Sequence, residues 1–295
     1  MRKTNNPWNT RALPYHNNGC GVEDKEKIYA CLVDCTSFSS LFLFPLDPSG
    51  AQLIVGSTDY INIDLKEILM KIGILGTGMV GQNIGARLAE LGHEVMIGTR
   101  DVTGTMTRTE PDMYGNPPFR EWIKKNNGIK VGTFSEAAAQ AELTVNATTG
   151  ISSMDALNLA GKDHLDGKIL IDIANPLDFS RGTFPVLSTC NTDSLGEQIQ
   201  RAFPGVKVVK TLNTVNAKIM VNPSTLQEAD HTMFLCGNDA GAKAIVTDLL
   251  RSMGWNDITD LGDISAARAT EMILPIWIRL YGVLKSPMFN FKLVR

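Results

Sequence analysis

The chain has 295 residues, of which 28 are basic and 31 acidic, giving a net charge of −3. That length holds one large or two modest domains around a buried core, and so even a charge balance offers no footing for nucleic acid or an anionic membrane surface. Cys20, Cys31, Cys35, Cys190 and Cys236 form neither a metal-ligand spacing nor an even disulfide framework, and no apolar run approaches the roughly 20 residues that span a bilayer.

In chain order, residues 1–69 are rich in Asn, Ser, Cys and Pro and have no helical or strand period. They are expected to be an extension, disordered or outside the fold, with a small accessory segment containing a strand at Ala51 to Val55 as the alternative. Met70 stands immediately before the first regular apolar run, and the cysteine usage fits a reducing, cytoplasmic setting.

The pattern then changes. Ile72 to Leu75 is a short apolar run ending in glycine, the signature of a buried strand, and Gly76, Gly78 and Gly81 follow as G-x-G-x-x-G. Each glycine meets a separate steric demand: a tight turn at Gly76, close approach of a pyrophosphate at Gly78, and close helix packing at Gly81. Val80, Ile84, Leu88 and Leu91 recur at helical spacing until Gly92, and a second strand is expected over residues 94–98. A glycine turn between a strand and a helix is the context that predicts dinucleotide binding, with the phosphates at the helix N-terminus.

The end of the second strand decides which dinucleotide. An acidic residue there would accept from a ribose hydroxyl, whereas this chain has Thr99 and Arg100, a hydroxyl and a guanidinium suited to a phosphate monoester. NADP is therefore expected over NAD, Asp101 being the residue that argues for the other choice. Residues 101–118 have no period and are expected as a long loop, in which Arg108 would add a second cation or lie in solvent. A short helix over residues 119–125 should put Trp122 and Ile123 on the body of the fold.

Alternation of strand and helix resumes with a strand at residues 129–133, a helix capped by Ser135, and a strand over residues 143–147. The run Asn146, Ala147, Thr148, Thr149 and Gly150 is small enough for a ribose and nicotinamide to lie on it. A strand at residues 169–173 leads to Ala174, Asn175 and Pro176, where Asn175 offers a donor and an acceptor to a carboxamide. Phe179, Arg181 and Phe184 follow in a loop that would contact a second substrate. Residues 207–212 form a sixth strand, after which Asn213 and Asn216 either read the amide edge of a flavin-like ring or, in the case of Asn213 or Thr214, cap the next helix. Residues 265–284 are expected as one long apolar helix kinked at Pro275, buried under the sheet edge or against a second subunit.

No hydrolytic constellation is present in the sequence: His16, His93, His164 and His231 are scattered, and no Ser-Tyr-Lys set is evident. Hydride transfer between two ring cofactors needs little acid-base help, so no catalytic side chain and no metal are expected.

With these residues in view, the chain from Met70 to Arg295 resembles the coenzyme F420-dependent NADP oxidoreductases. The resemblance lies in KIGILGTGMVG, in Thr99 and Arg100, in TLNTVNA, in FLCGND, and in the closing DLGDISAARATEMILPIWIRLYGVL with FNFKLV. It implies a Rossmann-type doubly wound parallel sheet at residues 70–212, a small C-terminal α/β portion at 213–295, and a homodimer. Carried over by position, Gly76, Thr77, Gly78, Met79 and Val80 would hold the pyrophosphate, Thr99 and Arg100 the 2′-phosphate, and Asn213, Val215 and Phe289 the second ring. Archaeal members carry histidine at the place of Asn213, so a flavin stands beside the deazaflavin F420 as the expected acceptor. The alternatives are reduction of a small carbonyl substrate and a non-catalytic NADP sensor.

Overall fold

The structure is a computed structural model that describes residues 41–43, 51–55, 59–63, 69–111, 115–180, 182 and 184–295. Most of the expected N-terminal extension, and Arg181, lie outside the described residues. Within that extension, β1 (Leu41–Leu43), β2 (Ala51–Val55) and β3 (Asp59–Ile63) pair antiparallel in the order β1-β2-β3. The strand named in the alternative reading, Ala51–Val55, is thus present.

From Lys71 the chain alternates as its periodicity requires. In order come β4 (Lys71–Leu75), α1 (Met79–Glu90), β5 (Glu94–Thr99), α2 (Val102–Thr107), α3 (Phe119–Lys125), β6 (Lys130–Thr133) and α4 (Phe134–Gln140). Next are β7 (Leu143–Asn146), α5 (Gly150–Ala160), α6 (Lys162–Leu165), β8 (Ile169–Asp172) and the two-stranded hairpin of β9 (Leu177–Asp178) with β10 (Val186–Leu187). The chain ends with α7 (Leu195–Ala202), β11 (Lys207–Thr211), α8 (Ala217–Val221), β12 (Thr232–Gly237), α9 (Ala240–Ser252), β13 (Asp257–Asp260), α10 (Ala267–Met272) and α11 (Leu274–Leu284).

Eight of these strands make one sheet, ordered β13-β12-β11-β8-β7-β4-β5-β6. The six from β6 to β11 run parallel, β12 is antiparallel to β11, and β13 runs parallel to β12. The chain moves from β4 outward to β5 and β6, then returns to β7 on the other side of β4, so a crevice opens at the carboxyl ends of β4 and β7, where sheets of this kind take ligands. Residues 213–295 add β12 and β13 to this same sheet.

Two apolar layers sandwich the sheet. Ile72, Ile74, Ile84, Leu88, Val95 and Ile97 belong to one, and Leu75, Ala137, Leu157, Leu170, Ile199 and Val208 to the other. Alternate residues of the parallel strands face opposite layers, which is why apolar residues predominate on both faces of these strands.

Several expectations need correction. Residues 102–107 are helical, begun at Asp101, where a loop was expected; the short Thr-Gly-Thr-Met segment has too little apolar content to show a period. Helix α4 is capped by Thr133, not Ser135: the Thr133 hydroxyl accepts from Glu136 N while Glu136 bonds back to Thr133 N, a reciprocal capping box. The terminal apolar run is two helices, broken after Met272, because Pro275 sits in the first turn of α11 where its missing N–H costs nothing. Nor is α11 buried under the sheet edge, since Leu274 is its one buried residue while Ile276, Tyr281, Val283 and Leu284 are exposed.

Candidate functional site

The three glycines divide their work as their positions require. Gly76 has φ of 121°, and a Cβ there would stand 2.7 Å from the carbonyl oxygen of Ala147. At Gly81 a Cβ would fall 2.1 Å from the Gly76 carbonyl oxygen, so the absence of a side chain is what lets α1 lie against the turn. Gly78 differs: it has ordinary extended geometry, and a Cβ there would meet nothing within 4 Å. No demand of the folded chain explains a glycine there, whereas a ligand reaching the backbone does.

Behind this opening, α1 starts at Gly78 with no side-chain cap and no acidic residue in its first turn. Its leading amides therefore keep their donors and the positive end of the helix faces the opening. Thr77 and Val80 are half-buried, Met79 is exposed, and Gln82 Nε2 donates to Thr77 O at 2.8 Å, holding the turn from below. A diphosphate fits this cradle in shape and in sign.

The expected cofactor residues form a row along the carboxyl rim. Gly76 N donates to Gly98 O at 3.1 Å, next to Thr99, and Ala147 N donates to Leu75 O at 3.0 Å on the other flank. A Cβ on Gly150 would lie 2.0 Å from Asn175 O, so the turns after β7 and β8 are in close contact. Asn175 Nδ2 donates to Asn213 O at 2.8 Å, and Asn213 Nδ2 donates back to Asn175 Oδ1 at 2.9 Å. Thr99, Gly76, Ala147, Thr148, Asn175 and Asn213 thus follow one another from β5 to β11.

At the end of β5, where the adenosine is expected, Arg100 is exposed and makes no ion pair with any described residue. Asp101 is turned away from this place, its carboxylate lying over the first turn of α2, where it would meet a Cβ on Gly104 at 2.3 Å. Thr99 is buried and its hydroxyl shares a hydrogen bond of 2.8 Å with Thr105 Oγ1. Thr105 is a residue that sequence reasoning missed, because α2 itself was.

Three expected side chains are not free for a ligand. Asn146 is wholly buried and faces inward, donating to Asp172 Oδ1 at 2.8 Å and Ser153 Oγ at 3.0 Å, and accepting from Thr148 Oγ1 at 2.6 Å. Asn175 spends its amide on Asn213 instead of facing open space. Val215 packs into the core beside Ala217, Ile219 and Met220. Residue type and position marked these sites; which way each side chain turns is set by partners far along the chain.

On the expected second-substrate side, Leu212 has φ of 62°, a left-handed conformation that costs a leucine about 1–2 kcal/mol. The turn sets Asn213 and Thr214 at the end of β11, and Asn213 Oδ1 and Thr214 Oγ1 are both buried without a hydrogen-bond partner. Neither Asn213 nor Thr214 caps α8; Asn216 does, accepting from Lys218 N at 2.9 Å. Phe289 stacks on Trp277 with centroids 5.1 Å apart, and Trp277 on Tyr281 at 5.9 Å. The tail that carries Phe289 is tied to the start of β12, since Thr232 N donates to Phe291 O at 3.0 Å and Asn290 Nδ2 bonds Thr232 O at 3.1 Å. In the β9–β10 loop, Phe179 is exposed and Phe184 lies under the Arg279 guanidinium of α11 at 4.3 Å.

Among the described residues, no group of three or more His, Cys, Asp or Glu side chains is placed to hold a metal. His93 is a half-buried acceptor for Met70 N, at 3.2 Å, and burial lowers its pKa. A depression of about 340 Å³ between Gln200, Lys207, Asn238 and Asp239 lies at the opposite rim from the glycine turn. No described helix is long and apolar enough to cross a membrane.

Sheet order, glycine turn and switch-point crevice together define an α/β protein of the Rossmann type, and the comparisons place it more closely. Residues 71–176 match the model of the family described as NADP oxidoreductase, coenzyme F420-dependent. A candidate F420-dependent NADP-reductase from Arthrobacter sp. FB24, known as a crystal structure, is 56% identical with a TM-score of 0.74, over 77% of this chain and 100% of that one. The F420-dependent NADP reductase of Methanothermobacter marburgensis is 27% identical over 72% of this chain and 92% of its own length. Rat metalloreductase STEAP3 is 28% identical over 70% of this chain, but the match spans 38% of that protein. The chain belongs to the coenzyme F420-dependent NADP oxidoreductase family and is an NADP-dependent oxidoreductase.

Proposed function

We propose that the protein transfers a hydride between NADPH and a deazaflavin of the F420 type or a flavin. The observation that carries this reading is the opening at Gly78, where the chain leaves room for a ligand against its own backbone and sets the uncapped end of α1 behind it.

In this reading, Gly76, Thr77, Gly78, Met79, Val80 and Gly81 hold the diphosphate with backbone donors, and Arg100 with Thr99 receives the 2′-phosphate. Ala147, Thr148, Ala174 and Pro176 border the nicotinamide, with Asn146 and Asn175 shaping that border from behind. When bound, NADPH supplies the reducing equivalent. The chain positions the rings and excludes water, which accounts for an expected site without an acid or base of its own. Asn213, through its unpartnered Oδ1, and Phe289 belong to the acceptor side, with Val215 supporting them from the core.

A homodimer in the cytoplasm is part of the same proposal. Its support is the exposed apolar face of α11, where Ile276 is 53% and Val283 77% accessible, together with cysteines that form no disulfide framework.

The test is to mix the full chain with NADPH and follow its absorbance on adding a deazaflavin, then FMN. Oxidation with either supports the proposal. Tight NADPH binding without oxidation by either acceptor would overturn it in favour of a sensor.

A further inference from the structure

Lys210 lies on β11, the third strand from one edge of the sheet, wholly buried, and nothing in the foregoing reading uses it. Its ammonium meets Asp172 Oδ2 at 2.8 Å and Glu271 Oε1 at 2.9 Å, and donates to Ala174 O. The other oxygen of Asp172 accepts from Asn146 Nδ2 at 2.8 Å and Ala174 N at 3.2 Å. Glu271 accepts from the first two amides of α7, Leu195 N at 2.9 Å and Gly196 N at 3.0 Å. Apart from Lys210, the groups that meet the carboxylates are Asn146 Nδ2 and the amides of Ala174, Leu195 and Gly196, all of them uncharged donors, so the cluster sets two carboxylates against one cation.

Burial pulls the Lys210 ammonium toward neutrality, but Asp172 and Glu271 outweigh it and hold its pKa above the ordinary lysine value. Cys236, paired opposite Lys210 across β11 and β12, is pushed up to about 12, chiefly by burial, and adds no charge. The positive end of α7 offsets roughly half a unit of charge. A negative surplus remains inside the fold.

A single carboxylate would satisfy Lys210, and a buried ion cluster is a poor source of stability compared with apolar side chains of similar volume. The position of the cluster is more telling than its energy. It bonds both the N–H and the carbonyl of Ala174, and through Asn146 it reaches Thr148. Those are the two segments assigned above to the nicotinamide.

We propose that Asp172, Lys210 and Glu271 form a fixed source of negative potential behind the nicotinamide site, favouring the cationic ring of NADP⁺ over the neutral ring of NADPH and so easing the departure of the hydride. The three touch no ligand and are positioning residues that act on the ring through their surplus charge, which lies behind the turns they bond. The proposal rests on the assignment of the nicotinamide to the Ala147–Thr148 and Ala174–Pro176 turns.

The test is calorimetric titration of NADP⁺ and of NADPH into the full chain and into three single variants, with thermal unfolding as the check on folding. Glu271→Gln and Asp172→Asn each remove negative charge and should weaken NADP⁺ relative to NADPH by about tenfold, a difference of about 1.4 kcal/mol. Lys210→Gln removes positive charge and should shift the ratio in the opposite direction. Each substitution has its own signed expectation, so a variant that does not fold leaves the others to decide. If both affinities fall together in the folded variants with their ratio unchanged, the cluster only supports the loops and the proposal is overturned. If the unaltered protein binds neither nucleotide, the assignment of the site fails first and this proposal with it.

Discussion

Gly78→Ala separates a residue required by a ligand from one required by the fold. The added methyl meets no atom within 4 Å, and the backbone at φ −74° and ψ 177° suits alanine. Alanine is a poorer helix N-cap than glycine by roughly 0.5–1 kcal/mol, while the less flexible unfolded chain contributes about 0.4–1 kcal/mol in the other direction. Stability should therefore change by less than about 1 kcal/mol. NADPH is another matter, because the methyl fills the place through which a diphosphate would reach the amides of α1. Losing one charge-assisted hydrogen bond costs about 1.5–3 kcal/mol, or roughly 10- to 150-fold in affinity. Gly81→Ala is the contrasting control: its methyl would stand 2.1 Å from a backbone carbonyl, so that variant should lose about 1–3 kcal/mol of stability. Thermal unfolding and calorimetric titration with NADPH measure the two effects. A Gly78→Ala protein that binds NADPH within twofold of the unaltered chain would refute the argument that this glycine is there for a phosphate.

Arg100→Asp should weaken NADPH far more than NADH, by about 1.5–3 kcal/mol, because only NADPH carries the group that the guanidinium would bind; equal losses for the two nucleotides in fluorescence titrations would remove Arg100 from the site. Asp193→Asn tests an ion pair that titrates: hydrogen bonds from the Arg201 guanidinium lower the Asp193 pKa to about 2, against an opposing effect of burial. A depressed carboxylate pKa stabilises the fold above the ordinary value near 4 and loses that contribution as pH falls toward 2, so the variant should be slightly less stable at pH 7, by up to about 1 kcal/mol for so exposed a pair, and equal to the unaltered protein near pH 2. Unfolding midpoints at the two pH values check it. Val283→Lys on the exposed face of α11 should convert a dimer to monomer in light scattering without lowering the unfolding temperature of the monomer; an unchanged mass would move the interface elsewhere.

Local pattern made β4, α1 and β5 legible because each rests on neighbours within a few residues: an apolar strand, three glycines and a helical repeat ending at a glycine. The same holds for α3, found at the expected residues 119–125. What stayed hidden depends on contacts made at a distance. The capping box on α4 is local, but Ser135 competes with Thr133 for the cap, and the deciding feature is Glu136 standing at the third helical position of the earlier start. Asn146 looked like a rim residue until Asp172 and Ser153 turned it inward. Lys210 joins partners 38 and 61 positions away, at residues 172 and 271, which no spacing rule connects. One trace was available: a lysine inside the apolar strand Lys207–Thr211, flanked by residues that pack on both faces of the sheet, must find its counter-charge in the interior.

The reciprocal amide bonds between Asn175 and Asn213 tie the turn after β8 to the turn after β11, and a third bond from Asn213 to Thr270 O, at 3.1 Å, anchors that pair to α10. The two turns are therefore held to each other and to α10 as one part. Loss of either amide would loosen both turns at once.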